Sequence, residues 1–187
     1  MMLLEQFKDL DPFILSSIMG DFQAIVQQKS FPKHHILHRE GTICNHLYII
    51  EKGIARAYYY KDGKDITAHF AVENGSITAI DSFIQRKRSR YNIELLEDSE
   101  VHLVAYQDIQ LLLEQKPTYE KYIRLFLEQI YVDLAERIED LLFHTAKERY
   151  QQLLQKNPSL IQRVNLGHIA SFIGISQETL SRIRTQV

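Results

Sequence analysis

The stretch that most constrains this chain is Val164–Val187, which reads VNLGHIASFIGISQETLSRIRTQV. From Leu166 its spacing predicts two short helices joined by a tight turn, a helix-turn-helix. Apolar Ile169, Ile173, Ile175, Leu180 and Ile183 fall where the two helices must pack on each other, and Ala170 is small where they cross. Gly174 stands at the turn, where a positive φ is cheap only without a Cβ. Ser176 suits the N-cap of the second helix, with Gln177, Glu178 and Thr179 in its first turn. The outward positions then carry Gln177, Glu178, Ser181, Arg182 and Arg184. Such a set can read base edges, since Arg offers a fork to guanine while Gln and Glu offer groups for adenine or cytosine. A plain helical hairpin closing the fold is the competing reading. It would leave the turn glycine, the small crossing residue and the apolar positions agreeing by coincidence.

A net charge of −2 over 187 residues looks wrong for a chain with such an ending until it is divided. From His144 onward there are Lys147, Arg149, Lys156, Arg163, Arg182 and Arg184 against only Glu148 and Glu178, so this part carries +4 and the rest −6. That asymmetry fits a cationic reader attached to an acidic sensor. It also fits an ordinary solvated helical surface. At 45% hydrophobic and 25% charged the composition is that of a globular domain. No apolar run reaches the roughly 18 residues of a membrane span. Met1–Leu10 shows neither a basic n-region nor an apolar h-region, so no secretory leader is expected and a cytoplasmic location is. The single cysteine, Cys44, cannot form an intrachain disulfide and suits a reducing compartment.

Upstream, Leu3–Gln28 reads as two short helices, one with Asp11 as N-cap and Pro12 at its first position, and the helical spacing runs through Val26. Phe31-Pro32 ends this section. From His35 to Tyr106 the period shortens to strands, at His46–Ile50, Ile54–Tyr60, Asp65–Val72, Asn92–Leu96 and Val101–Ala105, with turns at Glu40-Gly41 and Lys52-Gly53. Lys61-Asp62-Gly63-Lys64 between Tyr58–Tyr60 and Ile66–Ala68 predicts a hairpin. Short strands with glycine turns imply a small antiparallel barrel or roll. Glu73–Tyr91 interrupts them as a loop and short helix whose cluster Arg86, Lys87, Arg88 and Arg90 either neutralises an anion or forms a solvated turn. Asp108–Leu113 predicts another short helix.

Pro117 opens a long helix to about Phe143, with an apolar stripe at Tyr119, Ile123, Phe126, Ile130, Leu134, Ile138 and Leu141. Steps of three and four resemble a coiled-coil seam and predict self-association, the alternative being a single amphipathic helix lying on the roll. A last helical segment, Ala146–Gln155, stops before Asn157-Pro158.

His34, His35, His38 and His46 near Cys44 raise the question of a metal, but a roll-type metalloenzyme needs a close His-x-His pair and a carboxylate on one strand, which these positions do not supply. No GxSxG, GxxxxGK[ST] or HExxH occurs, so hydrolase, P-loop and zincin chemistry have no support and no catalytic residue, metal or cofactor is expected.

EGTICNHLYIIEKGIARAYY in the strand region, AKERYQQLL after the long helix and IASFIGISQETLSRIR at the end together resemble the Crp/Fnr family of bacterial transcription regulators. The resemblance covers essentially the whole chain and is closest to a short subgroup frequent in Bacteroidetes. It implies an α+β fold: an N-terminal antiparallel β-roll of the double-stranded β-helix or jelly-roll type with flanking helices, a long dimerisation helix, and an all-α helix-turn-helix. The implied divisions are an effector roll at 1–116, the dimer helix at 117–143 and a DNA-binding domain at 144–187. Glu178 and Arg182 match the family's E-T-x-x-R base-reading positions, Gln177 stands where the cyclic-AMP receptor has an arginine, and Ser176 and Thr179 face phosphates. Ile123, Phe126, Ile130, Leu134, Ile138 and Leu141 become the dimer face.

Two departures qualify the resemblance. The family's nucleotide cassette places Gly-Glu before a short helix and Arg-Ser/Thr after it, to hold a ribose hydroxyl and the cyclic phosphate. Here the first part reads Gly75-Ser76-Ile77, without the carboxylate, and the second is Arg88-Ser89 followed by Arg90. The candidate effector pocket is thus Ser76, Arg88, Ser89 and Arg90, and cyclic AMP is not the expected ligand. Only three residues follow Arg184, so no full β-hairpin wing is expected and phosphate contacts are correspondingly fewer. The implied partners are double-stranded DNA, a second copy of the chain, an unidentified small effector and, for an activator, RNA polymerase; no membrane partner is implied. A sensor whose tail contacts protein, or a metal-dependent roll enzyme, would be the readings from other classes.

Overall fold

The chain is described by a computed structural model over residues 12–185. In order, the elements are α1 (Pro12–Ala24), β1 (Val26–Phe31), β2 (Ile36–His38), β3 (His46–Lys52), β4 (Ala55–Lys61), β5 (Lys64–Ala71), β6 (Ser76–Ile77), α2 (Ile80–Gln85), β7 (Asn92–Leu95) and β8 (Ser99–Ala105). There follow α3 (Tyr106–Gln115), a 3₁₀ turn (Pro117–Tyr119), α4 (Glu120–Phe143), α5 (Ala146–Lys156), α6 (Leu160–Arg163), α7 (Leu166–Ile173) and α8 (Gln177–Arg184).

The strands form two four-stranded sheets, ordered β1-β8-β3-β6 and β2-β7-β4-β5. In the first, β8 pairs antiparallel with both neighbours, Tyr48 lying opposite Leu103 and Val26 opposite Val104. Alternation decides what faces inward. Tyr48, Ile50, Val101 and Leu103 of the first sheet meet Ala55, Ala57, Ile93 and Leu95 of the second, with Phe31, Leu37, Phe83 and Tyr91 packed against them. Tyr48 is carried to the centre and satisfies its hydroxyl by donating to the Leu37 carbonyl at 2.7 Å; burial pushes its ionisation well above the usual tyrosine range. The β4–β5 turn has both central residues at positive φ, Asp62 at 52° and Gly63 at 73°, as a type I′ hairpin requires.

α1, α3 and the start of α4 share a second core of Ile18, Leu112, Tyr119 and Tyr122. Asp21 ties them, accepting from Lys116 and from the Tyr119 hydroxyl, and these bonds, Lys116 first, hold its carboxyl below the usual range.

The structure corrects the reading of the N-terminal section. Asp11, and the earlier of the two helices expected there, lie outside the described residues. α1 begins at Pro12 as expected but stops at Ala24, and Val26–Gln28 belong to an edge strand. Its residues alternate poorly in burial, and it is held by a partner more than seventy residues away, which local spacing does not reveal. The short β2 and β6 were likewise not anticipated, whereas the five expected strands all form with ends shifted by one or two residues. α6, too short to carry a period, is a further addition.

Two compact units emerge, 1–57 with 70–128 and 58–69 with 129–187, so their boundary falls within α4. No helix among the described residues is long and apolar enough to cross a membrane.

Candidate nucleic-acid interface

In the second unit, α7 and α8 are fixed by local chemistry at each end. Asn165 caps α7, its Oδ1 accepting from Gly167 N–H at 2.7 Å. At the other end Gly174 has φ 78° and ψ 34°; its N–H donates to Ser171 O at 3.2 Å and Ile175 N–H donates to Ala170 O at 3.0 Å. This is a Schellman closure, and a Cβ at Gly174 would cost about 1–2 kcal/mol from the backbone alone. Ser176 then starts α8 with extended backbone, its Oγ accepting from Thr179 N–H at 3.2 Å. Ile169, Ala170, Ile173 and Leu180 are buried between the helices, as the spacing predicts, while Ile175 and Ile183 are half-buried.

Two arginines outside the motif complete the end of α7. Arg137 of α4 donates to the Phe172 carbonyl and lies 4.0 Å over that residue's ring. Arg149 of α5 donates to Ile173 O at 2.9 Å and to His144 O at 2.5 Å. Both supply cations where a helix C-terminus leaves carbonyls unpaired. Ser171 on the same helix accepts from Thr67 N–H of the β4–β5 hairpin at 2.6 Å. None of this was legible in advance: Arg137 sits in a helix that shows only its apolar stripe, and Arg149 counts in sequence as one more surface cation. Lys156 is also engaged, 3.0 Å from Glu136. The excess of +4 therefore overstates the charge available to a polyanion.

What remains on the open side of α8 is Ser176, Gln177, Glu178, Ser181, Arg182 and Arg184, all exposed, with Thr179 half-buried beside Ser176. Hydrogen bonding from Ser176, then from its own backbone N–H, with Arg182 adding a smaller contribution, holds the Glu178 carboxyl below its ordinary range. Gln177 Oε1 comes within about 3.2 Å of where a Cβ on Gly167 would stand, so a glycine there leaves room for the amide. The face thus presents amide, carboxylate, hydroxyl and two guanidinium groups from one rigid helix.

The helix α4 divides its apolar residues between two surfaces. Ile123 and Phe126 are half-buried against the roll unit, and Ile130 is also half-buried. Leu134, Ile138 and Leu141 are exposed, and so are Leu127 and Tyr131. The exposed series 127, 131, 134, 138, 141 advances by four and three, a heptad seam that overlaps the predicted stripe only in its second half. Leu127 and Tyr131 escaped the sequence reading because a second apolar stripe, facing the roll, runs alongside.

The residues of the candidate effector pocket lie on β6 and in the loop that follows α2. Ser76 is half-buried on β6 and Arg90 is exposed. Arg88 donates to Gly41 O at 2.7 Å, and Ser89 is buried with its Oγ accepting from Tyr91 N–H at 2.9 Å. Arg86, at φ 54°, is tied to the Cys44 carbonyl at 2.8 Å and lies over the Tyr106 ring. Among the described residues no three His, Cys, Asp or Glu side chains stand together as a metal needs. Cys44 is buried; His38 and His46 are partly withdrawn from water, which disfavours their protonated forms.

Residues 28–116 match the cyclic nucleotide-binding domain family. The anaerobic regulatory protein of Bacillus subtilis is 27% identical over 139 residues, 72% of this chain but only 57% of that relative's length. Among solved structures, the c-di-GMP responsive global regulator CLP of Xanthomonas campestris superposes with a TM-score of 0.70 at 18% identity, covering 91% of this chain and 90% of that one. FixK2 of Bradyrhizobium japonicum gives 0.72 at 17%, covering 87% and 84%. A Eubacterium rectale protein assigned to the Crp/Fnr family gives 0.71 at 16%, covering 100% and 87%. Residues 28–116 thus carry the cyclic nucleotide-binding domain match, and the fold of the chain is the one these solved structures share.

Proposed function

We propose that the chain is a sequence-specific DNA-binding transcription regulator, acting as a homodimer on an inverted-repeat operator. The observation that carries this reading is the open face of α8: Gln177, Glu178, Ser181, Arg182 and Arg184 all exposed on a helix whose two ends are locked by Gly174 and Ser176. Arg182 and Glu178 read base edges, while Ser176 and Thr179 approach phosphates at the amino end of the helix. The seam on α4 brings a second copy and so a second α8. In this reading 1–116 senses, 117–143 pairs and 144–187 reads DNA, with RNA polymerase as a further partner if the protein activates. Such work places the chain in the cytoplasm and requires no catalytic residue. The relatives with descriptive names are regulators.

The roll's small effector, in this reading, is not cyclic AMP. Gly75-Ser76 lacks the carboxylate that holds the ribose, and the Arg88 guanidinium already donates to Gly41 O. Selection of random duplex DNA on the purified protein at stated salt tests the function. Enrichment of an inverted repeat is expected; recovery of sequences no different from the starting pool would refute it.

A further inference from the structure

Leu47, Ile49 and Val104 alternate with the inward residues of β3 and β8 and face away from the sheet interior. They form the floor of a cavity of about 390 Å³. Phe83 of α2, Leu113 of α3 and Phe126 of α4 are among its walls. No acidic, basic or histidine side chain is among the described residues that line it. Its polar side chains are Thr78, whose hydroxyl donates to His46 O at 3.0 Å, Tyr106, Tyr122 and the exposed Gln110.

From this we infer that the roll unit binds an uncharged, apolar small molecule in the cavity between the outer face of β3–β8 and helices α2, α3 and α4. Three observations support it. The volume lies within the ordinary range for small-molecule pockets, roughly 300–1,000 Å³. A dry cavity of about 150 Å³ accommodates benzene, so by scaling this one holds roughly 12–18 non-hydrogen atoms. The lining offers nothing to neutralise a phosphate or carboxylate, so an ionised ligand would lose its hydration without compensation. Ile84 and Leu127, both exposed, mark the way in. Of the seam residues, Leu127 alone is among the described residues that line the cavity.

The consequence follows from which helix forms the wall. Ile123 and Phe126, which touch the bound molecule, belong to the same α4 that carries the exposed seam. A ligand that favours one placement of these two side chains biases α4, and with it the pairing, by its differential affinity for the two states. This regulatory role rests on the DNA-binding reading above; the binding site itself does not.

The test uses the full chain and N-phenyl-1-naphthylamine, an uncharged fluorescent probe of suitable size. Saturable binding of one probe per chain is expected, displaced by 1-decanol and not by cyclic AMP. Val104→Phe and Leu113→Phe, which fill the cavity from a strand and from a helix, should each weaken the probe at least tenfold while leaving circular dichroism unchanged. Leu134→Glu, on the seam and outside the cavity lining, should retain saturable binding of one probe per chain. In case both filled variants misfold, hydrogen exchange of the wild type with and without probe is the second measurement, with protection expected in 80–85, 106–115 and 120–127. Absence of saturable binding, loss of binding in Leu134→Glu, or protection confined to 131–143 would overturn the inference. Selective DNA binding is assayed on the same samples. A chain that selects an operator but binds no probe sinks the cavity alone; one that binds the probe but selects nothing sinks the regulator reading and keeps the cavity.

Discussion

Arg182 sits in the last turn of α8, exposed, on the same face as Glu178 one turn earlier. In the proposed function this guanidinium pairs with the O6 and N7 of guanine, and losing such a pair costs on the order of 1–3 kcal/mol at that base pair only. Arg182→Ala should therefore weaken the selected operator by this amount and flatten preference at one position of each half-site. Titration against single-base operator variants reads this; an Ala variant with unchanged preference would reassign the base-reading role. A second residue allows a pH argument. Glu148 closes a capping box on α5, its carboxylate accepting from Thr145 N–H at 2.7 Å and Oγ1 at 2.8 Å. Those two bonds, backbone first, lower its ionisation below the ordinary value. The folded state thus holds the charged form more firmly than the unfolded chain does. The stabilisation is present above the unfolded carboxyl range and is lost as pH falls through the lower, folded value. Glu148→Gln should be less stable than wild type at pH 6 and converge on it near pH 3, as read by urea midpoints.

At the scale of elements, legibility tracked the range of the cause. α7, α8 and the turn between them were readable because Gly174 and Ser176 act on residues close to themselves, whereas the Asn165 cap of α7 was not anticipated. The Asp62-Gly63 hairpin was readable for the same reason. β1 was not, because its partner β8 is remote and Ile25-Val26 extend the helical spacing of α1. α4 was half readable: its existence and end were plain, but its two apolar stripes run side by side, and only packing shows that Ile123 and Phe126 serve the roll unit while Leu127 and Tyr131 face out. The cavity lay beyond reach, since its lining is gathered from α1 to α4 and three strands. The exposed stripe carries its own prediction. Leu134→Glu and Ile138→Glu together put four carboxylates into a paired seam, at positions that demand apolar side chains. The variant should sediment as a monomer with unchanged circular dichroism. Its affinity for a two-half-site operator should drop roughly 10²–10⁴-fold, the part that linkage of two readers contributes.

At the scale of the whole molecule, the proposed function depends on a distance that one chain cannot set. A single α8 offers two exposed guanidinium groups, and other cations of its unit are in part committed, Arg149 to α7 and Lys156 to Glu136. One copy has little charge with which to hold a duplex, because affinity for DNA grows with the number of phosphates neutralised. Two copies related by a twofold axis double the contacts only if both half-sites lie on one side of the helix, about 34 Å or one turn apart. The operator should then be sensitive to phase as well as to sequence. Inserting five base pairs between the half-sites turns the second one to the far side of the duplex, with every base contact in each half-site preserved. Affinity should fall to that of a single half-site and be no better than that of the seam variant on the unaltered operator. Agreement of these two losses would show that pairing and phasing act through one geometry. A chain indifferent to the insertion would read DNA one copy at a time, and α4 would then need another purpose.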